Sequence, residues 1–226
     1  KGTACSRNVH RQPQAPVDLS ANLCLSGCGK ATFNALPGEF CGKTCRQSYA
    51  QKAAAASLAD FDAVKFMAGQ WAKSVWPGQL GKIAKFYRNP GLGDSACPAA
   101  MKFQRGAQSL SLANLSNAEF AWHGTSTLQA LRDICWNGLD PNRRSGQAYG
   151  RGEYFSVDAT VSHSYAGSTG YVIVCLLLLG GHNTTHNGSY RVVDNPRSGD
   201  PMYCVAVGVV DYTASSDPQL KGTGLA

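Results

Sequence analysis

The sequence predicts an α+β fold: a domain that opens with a helical region and continues as clustered strands, with a small cysteine-rich module ahead of it. Three observations predict it. Ala50, Ala54, Leu58, Phe61, Val64, Ala68, Trp71 and Val75 recur every three or four positions, the spacing of one helix face. Val172–Leu179 is an apolar run of eight residues, suited to a buried strand and far too short for a membrane span. Cys24 and Cys28, then Cys41 and Cys45, form two pairs with three residues inside each pair and twelve between the pairs. At 226 residues the chain has room for one medium domain plus such a module.

The elements follow in order. Residues 1–22 contain Pro13 and Pro16 and no apolar period, and read as an extended arm. Residues 23–50 form the module: thiolates on two facing turns suit tetrahedral zinc, and a shell of four cysteines leaves no open position, so the metal would be structural. Two disulfides in a secreted protein are the alternative. Residues 51–226 form the main domain. Ser57-Leu58-Ala59-Asp60 fits a capping box that would divide the helical run in two, and Pro77-Gly78 ends it. Ile83–Tyr87 reads as a strand, Pro90–Gly93 as a turn and residues 98–109 as another helix. Phe120–His123 is a strand. Ser126 or Thr127 caps a helix through Leu128, Leu131 and Ile134 that Gly138 closes. A strand at Tyr154-Phe155 leads to a short helix begun by Asp158. Strands at 171–179 and 202–210 finish the sheet, with the Gly/Asn/Thr-rich segment 180–190 as a loop between them.

Composition narrows the function classes. A chain 43% hydrophobic and 15% charged can bury a core and is not a disordered tail. Net charge +7 suits anionic partners, but no dense Lys/Arg block occurs. A basic surface with a pocket for an anionic ligand fits better than a dedicated nucleic-acid groove; nucleic acid remains a partner that the charge permits. Nine cysteines, an odd number with five scattered, fit a reducing compartment with one metal site better than a disulfide framework. Sequons at Asn114, Asn183 and Asn187 lean mildly towards secretion. No segment reads as a signal peptide. The expectation is an intracellular protein, cytoplasmic or nuclear, with no membrane partner.

Chemistry concentrates in the second half. The apolar run Phe120-Ala121-Trp122 delivers His123-Gly124-Thr125. Tyr149-Gly150-Arg151-Gly152-Glu153-Tyr154-Phe155 is a Gly-rich turn ending in two aromatics, and Ser162 and Tyr165 follow Tyr154 by 8 and 11 residues. Taken singly, these are a core histidine, a hairpin turn and core aromatics. Their joint order and spacing resembles the NAD pocket of the poly(ADP-ribose) polymerase-like ADP-ribosyltransferases, clearly over residues 119–179 and more weakly from 180 to 226.

The resemblance implies a split antiparallel β-sheet around an NAD cleft, and it implies roles. His123 would contact the NAD ribose, donating to a hydroxyl, with Thr125 beside it. Gly124 would clamp the nicotinamide carboxamide through its backbone, where no Cβ blocks the approach. Tyr154 and Tyr165 would stack on the two sides of the nicotinamide, and Ser162 would add a hydrogen bond to the carboxamide. Asp140–Gly146 lies where the family has its donor loop, so Arg143 or Arg144 would meet the pyrophosphate or adenosine end. The cysteine module ahead of these motifs resembles fungal members of the family.

One departure matters. Polymer-forming members carry a glutamate on a late strand, and no glutamate follows Tyr154 in this chain. Loose alignment puts that position at or near Tyr203. Asp194 and Asp200 sit in a turn-rich stretch, and Glu153 should face away from its neighbour Tyr154 on a strand. The expectation is a mono-ADP-ribosyltransferase using NAD as substrate and zinc as structural cofactor, with His123, Tyr154 and Tyr203 at its catalytic centre. The acceptor would be a protein or a nucleic acid. An NAD glycohydrolase, or a silent NAD- or ADP-ribose-binding module, is the alternative. The sequence does not reveal the oligomeric state.

Overall fold

The computed structural model describes residues 30, 41–45, 47, 57–180 and 184–220. The chain divides into two compact units, Lys1–Lys52 and Ala53–Ala226. In the first, Cys24 and Cys28 lie outside the described residues, as does the arm with Cys5 and His10. Cys41 and Cys45 are described, with their sulfurs 3.4 Å apart. Among the described residues no group of three or more His, Cys, Asp or Glu is placed to hold a metal ion. The expected zinc-binding module, and zinc as a cofactor, are corrected accordingly. Spacing along a chain is only a precondition for a metal site; the ligands must also converge in space.

The second unit is α+β. Helix α1 (Phe61–Val75) begins at Asp60, whose carboxylate accepts from the Ala63 N–H at 3.0 Å. The cap thus falls at the end of the Ser57–Asp60 segment, and Ser57 instead bridges Asn114. Next come β1 (Lys85–Arg88), α2 (Pro98–Ser109) and β2 (Ala118–His123). Helix α3 (Leu128–Asn137) is capped by Thr127 and closed at Gly138. Then follow β3 (Glu153–Ser156), α4 (Ala159–Tyr165, capped by Asp158) and β4 (Tyr171–Leu178). The last strands are β5 (Thr184–Asn187), β6 (Tyr190–Val193) and β7 (Cys204–Asp211). The expected loop at 180–190 is therefore largely a hairpin: β5 and β6 pair around an Asn187-Gly188 turn, a sequence signal for such a connection.

The seven strands among the described residues pair antiparallel in one sheet, ordered β1-β7-β4-β2-β3-β6-β5. Strand β4 lies in its interior with every residue buried. Val172, Val174, Leu176 and Leu178 join the core on one face with α1 and α2 residues; Ile173, Cys175 and Leu177 join the core on the other, with Leu131, Ile134 and Cys135 of α3. A strand covered on both faces has no polar side to alternate, which is why it reads as an unbroken apolar run.

The expected split sheet is instead continuous but pinched. Strands β2 and β3 share a single registered pair, Trp122 with Ser156. Two polar links span the pinch. Arg191 of β6 makes a bidentate pair with Glu119 of β2 at 2.7 and 3.0 Å, and the His123 ring bonds the Tyr154 carbonyl at 2.9 Å. Buried Asn89 fixes α3 to the sheet, donating to the carbonyls of Cys135 at 2.7 Å and Ala206 at 2.8 Å while accepting from the Gly91 N–H. Among the described residues no helix is long and apolar enough to cross a membrane.

Candidate functional site

A cavity of about 550 Å³ opens beside the pinch. Its wall takes residues from the end of β2, from α3, from the loop between α3 and β3, from β3 and α4, and Tyr190 from β6. His123, Gly124, Thr125, Arg143, Arg144, Tyr154, Ser162 and Tyr165 all contribute to it. Residues spread over 43 positions of sequence (165 less 123, counted inclusively) thus meet around one space. Tyr203 does not line it. That residue precedes β7, donates its N–H to Asn195 Oδ1 at 2.6 Å and packs against both cores.

His123 sits at the C-terminal end of β2. A carbonyl oxygen can only accept, so the bond to Tyr154 places the ring hydrogen on Nδ1 and leaves Nε2 as the acceptor of the neutral ring. The ring keeps some exposed edge but is set deep in protein. Desolvation pushes its pKa below the ordinary value, outweighing the Tyr154 carbonyl bond, which favours the charged form. His123 is therefore neutral near pH 7, with Nε2 as its acceptor atom.

Tyr154 is held by its hydroxyl, which accepts from the Tyr149 N–H and donates to the Gly150 carbonyl, both at 2.7 Å. It thereby pins the Gly-rich turn to β3. Gly124 follows β2 where α4 passes close by; a Cβ there would collide with the Ser162 carbonyl oxygen. Ser162 and Tyr165 stand one turn apart on α4, the first buried and the second 63% exposed at the rim.

The two adjacent arginines differ. The Arg143 side chain is 71% exposed, with loose approaches to Asp140 at 3.7 Å and Asp133 at 4.0 Å. The Arg144 side chain is 6% exposed and forms a bidentate pair with Glu153, itself 4% exposed. Arg144 also reaches Asp194 at 2.9 Å and the Asn195 carbonyl at 2.6 Å. Partial burial works against ionisation of Asp194, but bonds from Arg151 and Arg144 hold its carboxyl below the usual range. Asp194 is thus an anchored carboxylate beside the site. Asp200 instead pairs with Arg105 of α2 at 2.6 Å, away from the cavity wall.

Several wall residues are not singled out by the sequence or are set aside by it. Tyr190 was hidden in the unrecognised hairpin, where the Asn-Gly turn was the available signal. Asp133 carries no motif, and Asp140 opens the donor-loop stretch without a role of its own there. Glu153 was assigned to the opposite side of β3, yet it contributes to the same wall as Tyr154, because it opens the strand where the donor loop folds over it.

Residues 98–206, from α2 to the first part of β7, match a family model described as the poly(ADP-ribose) polymerase catalytic domain. Among solved structures, the PARP domain of Arabidopsis RADICAL-INDUCED CELL DEATH1 aligns at 13% identity and a TM-score of 0.40, covering 65% of this chain and 95% of that one. No curated protein matches the chain. The expected kinship to fungal members with a zinc module is corrected: the matched region begins beyond the cysteine pairs, and no metal-ligand group is placed among the described residues. The likeness to that family model is thus confined to residues 98–206.

Proposed function

We propose that this chain binds NAD in the cavity, releases nicotinamide and transfers a single ADP-ribose to an acceptor. The observation that carries this reading is the convergence of eight motif-derived residues around one cavity. In this reading Tyr165 and Tyr154 flank the nicotinamide, the Gly124 backbone and Ser162 hold its carboxamide, and Arg143 meets the pyrophosphate. A ribose hydroxyl donates to Nε2 of neutral His123. That bond draws electron density towards the ribose as the glycosidic bond to nicotinamide breaks, which helps an oxocarbenium-like centre to form. The acceptor, a protein or nucleic-acid nucleophile, then attacks that carbon and loses its proton to solvent, the nicotinamide having left as the neutral base. The catalytic unit is taken to span residues 51–226. An intracellular, reducing location is supported by the buried thiols of Cys97, Cys135, Cys175 and Cys204, none of which is in a disulfide.

Calorimetry with NAD and with benzamide, a nicotinamide mimic, tests the binding step. Tyr165→Ala should weaken benzamide by about 0.5–1.5 kcal/mol beyond lost burial. Unchanged benzamide affinity would remove the stacking arrangement. Incubation with labelled NAD and cell extract tests transfer. Label on a macromolecule supports it, free ADP-ribose alone points to a glycohydrolase, and NAD binding without nicotinamide release points to a silent binding module.

A further inference from the structure

We infer that Arg144 and Glu153 are positioning residues: a buried clamp that sets the shape of the cavity rather than groups that touch the ligand. The inference rests on the NAD reading above for its functional meaning and on geometry for its existence. A guanidinium has five N–H donors. Arg144 commits four of them: Nε and one Nη2 hydrogen to Glu153 at 2.8 and 3.0 Å, the other Nη2 hydrogen to the Asn195 carbonyl at 2.6 Å, and Nη1 to Asp194 at 2.9 Å. One remaining N–H cannot grip a phosphate in the two-pronged way that makes arginine useful there. Its exposed neighbour Arg143 retains that capacity.

The clamp reaches further than one pair. Glu153 Oε2 also accepts from Asn195 Nδ2 at 2.8 Å, Asn195 Oδ1 accepts from the Tyr203 N–H at 2.6 Å, and Arg151 pairs with Asp194 at 2.8 Å. Four segments are tied together: the donor loop at 144, the Gly-rich turn and start of β3 at 151–153, the chain after β6 at 194–195, and the entry to β7 at 203. Glu153 is bonded directly to Tyr154, whose carbonyl orients His123 and whose hydroxyl pins the Gly-rich turn. Displacing Glu153 therefore moves Tyr154 on one side of the nicotinamide subsite and, through the Tyr154 carbonyl, the His123 ring beside the ribose. Removing either partner of a buried pair also strands a charge, so the loss is not local to one bond.

The test compares R144Q, E153Q, the double variant and R143Q by calorimetry with NAD and with benzamide, and by amide hydrogen exchange in segments containing Tyr149, Asn195 and Tyr203. R144Q and E153Q should each weaken NAD and benzamide together, by about tenfold or more, and raise exchange in those segments. The double variant should lose no more than the worse single one, because the two act as a unit. R143Q should weaken NAD while leaving benzamide unchanged. Dissociation constants are read separately from stoichiometry, so a partly unfolded sample does not mimic a lost clamp; D194N, at a half-exposed corner, serves if R144Q does not fold. R144Q that weakens NAD but spares benzamide and exchange would make Arg144 a direct phosphate ligand and overturn the inference. If the unaltered protein binds neither probe, the NAD reading fails on its own. The clamp is then decided by exchange: a rise in E153Q sustains it, and no change ends it.

Discussion

At the scale of single residues, the most consequential feature is that His123 is neutral and oriented. Burial lowers its pKa, with the Tyr154 carbonyl bond opposing. The unfolded side chain titrates near about 6.5. Below that value the unfolded state takes up a proton that the folded state refuses, so it binds more protons and stability falls with falling pH. The contribution is fully present above the unfolded pKa and is lost as pH drops towards the folded one. Urea unfolding at pH 7.5 and pH 5 should therefore show a larger loss for the unaltered protein than for His123→Gln. Parallel losses would mean that the ring is not held in its neutral form. Convergence on the cavity was legible at this scale where motif residues stand at a fixed spacing, as at His123-Gly124, Tyr154, Ser162 and Tyr165. It was not legible where neighbours compete. Arg143 and Arg144 are chemically identical and adjacent, and only the fold decides which one turns inward to Glu153 and which one faces solvent.

At the scale of elements, α2 lies so close to the entry of β7 that Gly106 has no room for a side chain. A Cβ there would collide with the Met202 carbonyl, and Met202 N–H in turn donates to the Lys102 carbonyl at 3.1 Å. Gly106→Ala must push the helix off the strand entry, so overpacking should cost about 1–3 kcal/mol despite alanine's better helix propensity. Urea titration checks this, and a stabilised variant would show that α2 can slide. Helix α3 and its Thr127 cap and Gly138 stop were readable because caps are local chemistry. Strand β4 was readable because it is buried on both faces. The β5–β6 hairpin was not, because its strands are short and polar on their outer side. Nothing in Thr184–Asn187 alternates, and its pairing depends on β6, which depends in turn on β3. The zinc expectation is corrected on a different ground: no metal-ligand group is placed among the described residues.

At the scale of the whole molecule, a continuous sheet is pinched where β2 meets β3, and the cavity lies beside that pinch, so its shape depends on both parts of the sheet. On the proposed NAD reading, the same architecture would limit the product. Elongating an ADP-ribose chain requires a base beside the ribose to activate the hydroxyl of a unit already attached. No glutamate follows Tyr154, and Tyr203, the nearest residue by alignment, does not line the cavity. Of the carboxylates that do line it, Glu153 is consumed by Arg144, and Asp133 and Asp140 flank Arg143 at the donor loop. Transfer to a stronger nucleophile, or to water, needs no such base once the oxocarbenium-like centre exists. The expected product is therefore one ADP-ribose per acceptor site, never a polymer, and mass spectrometry of modified products decides it. Linked units would show that a carboxylate reaches the attached ribose after all. Asp133→Asn and Asp140→Asn would then separate the candidates, since only loss of the acting base should shorten the chains to single units.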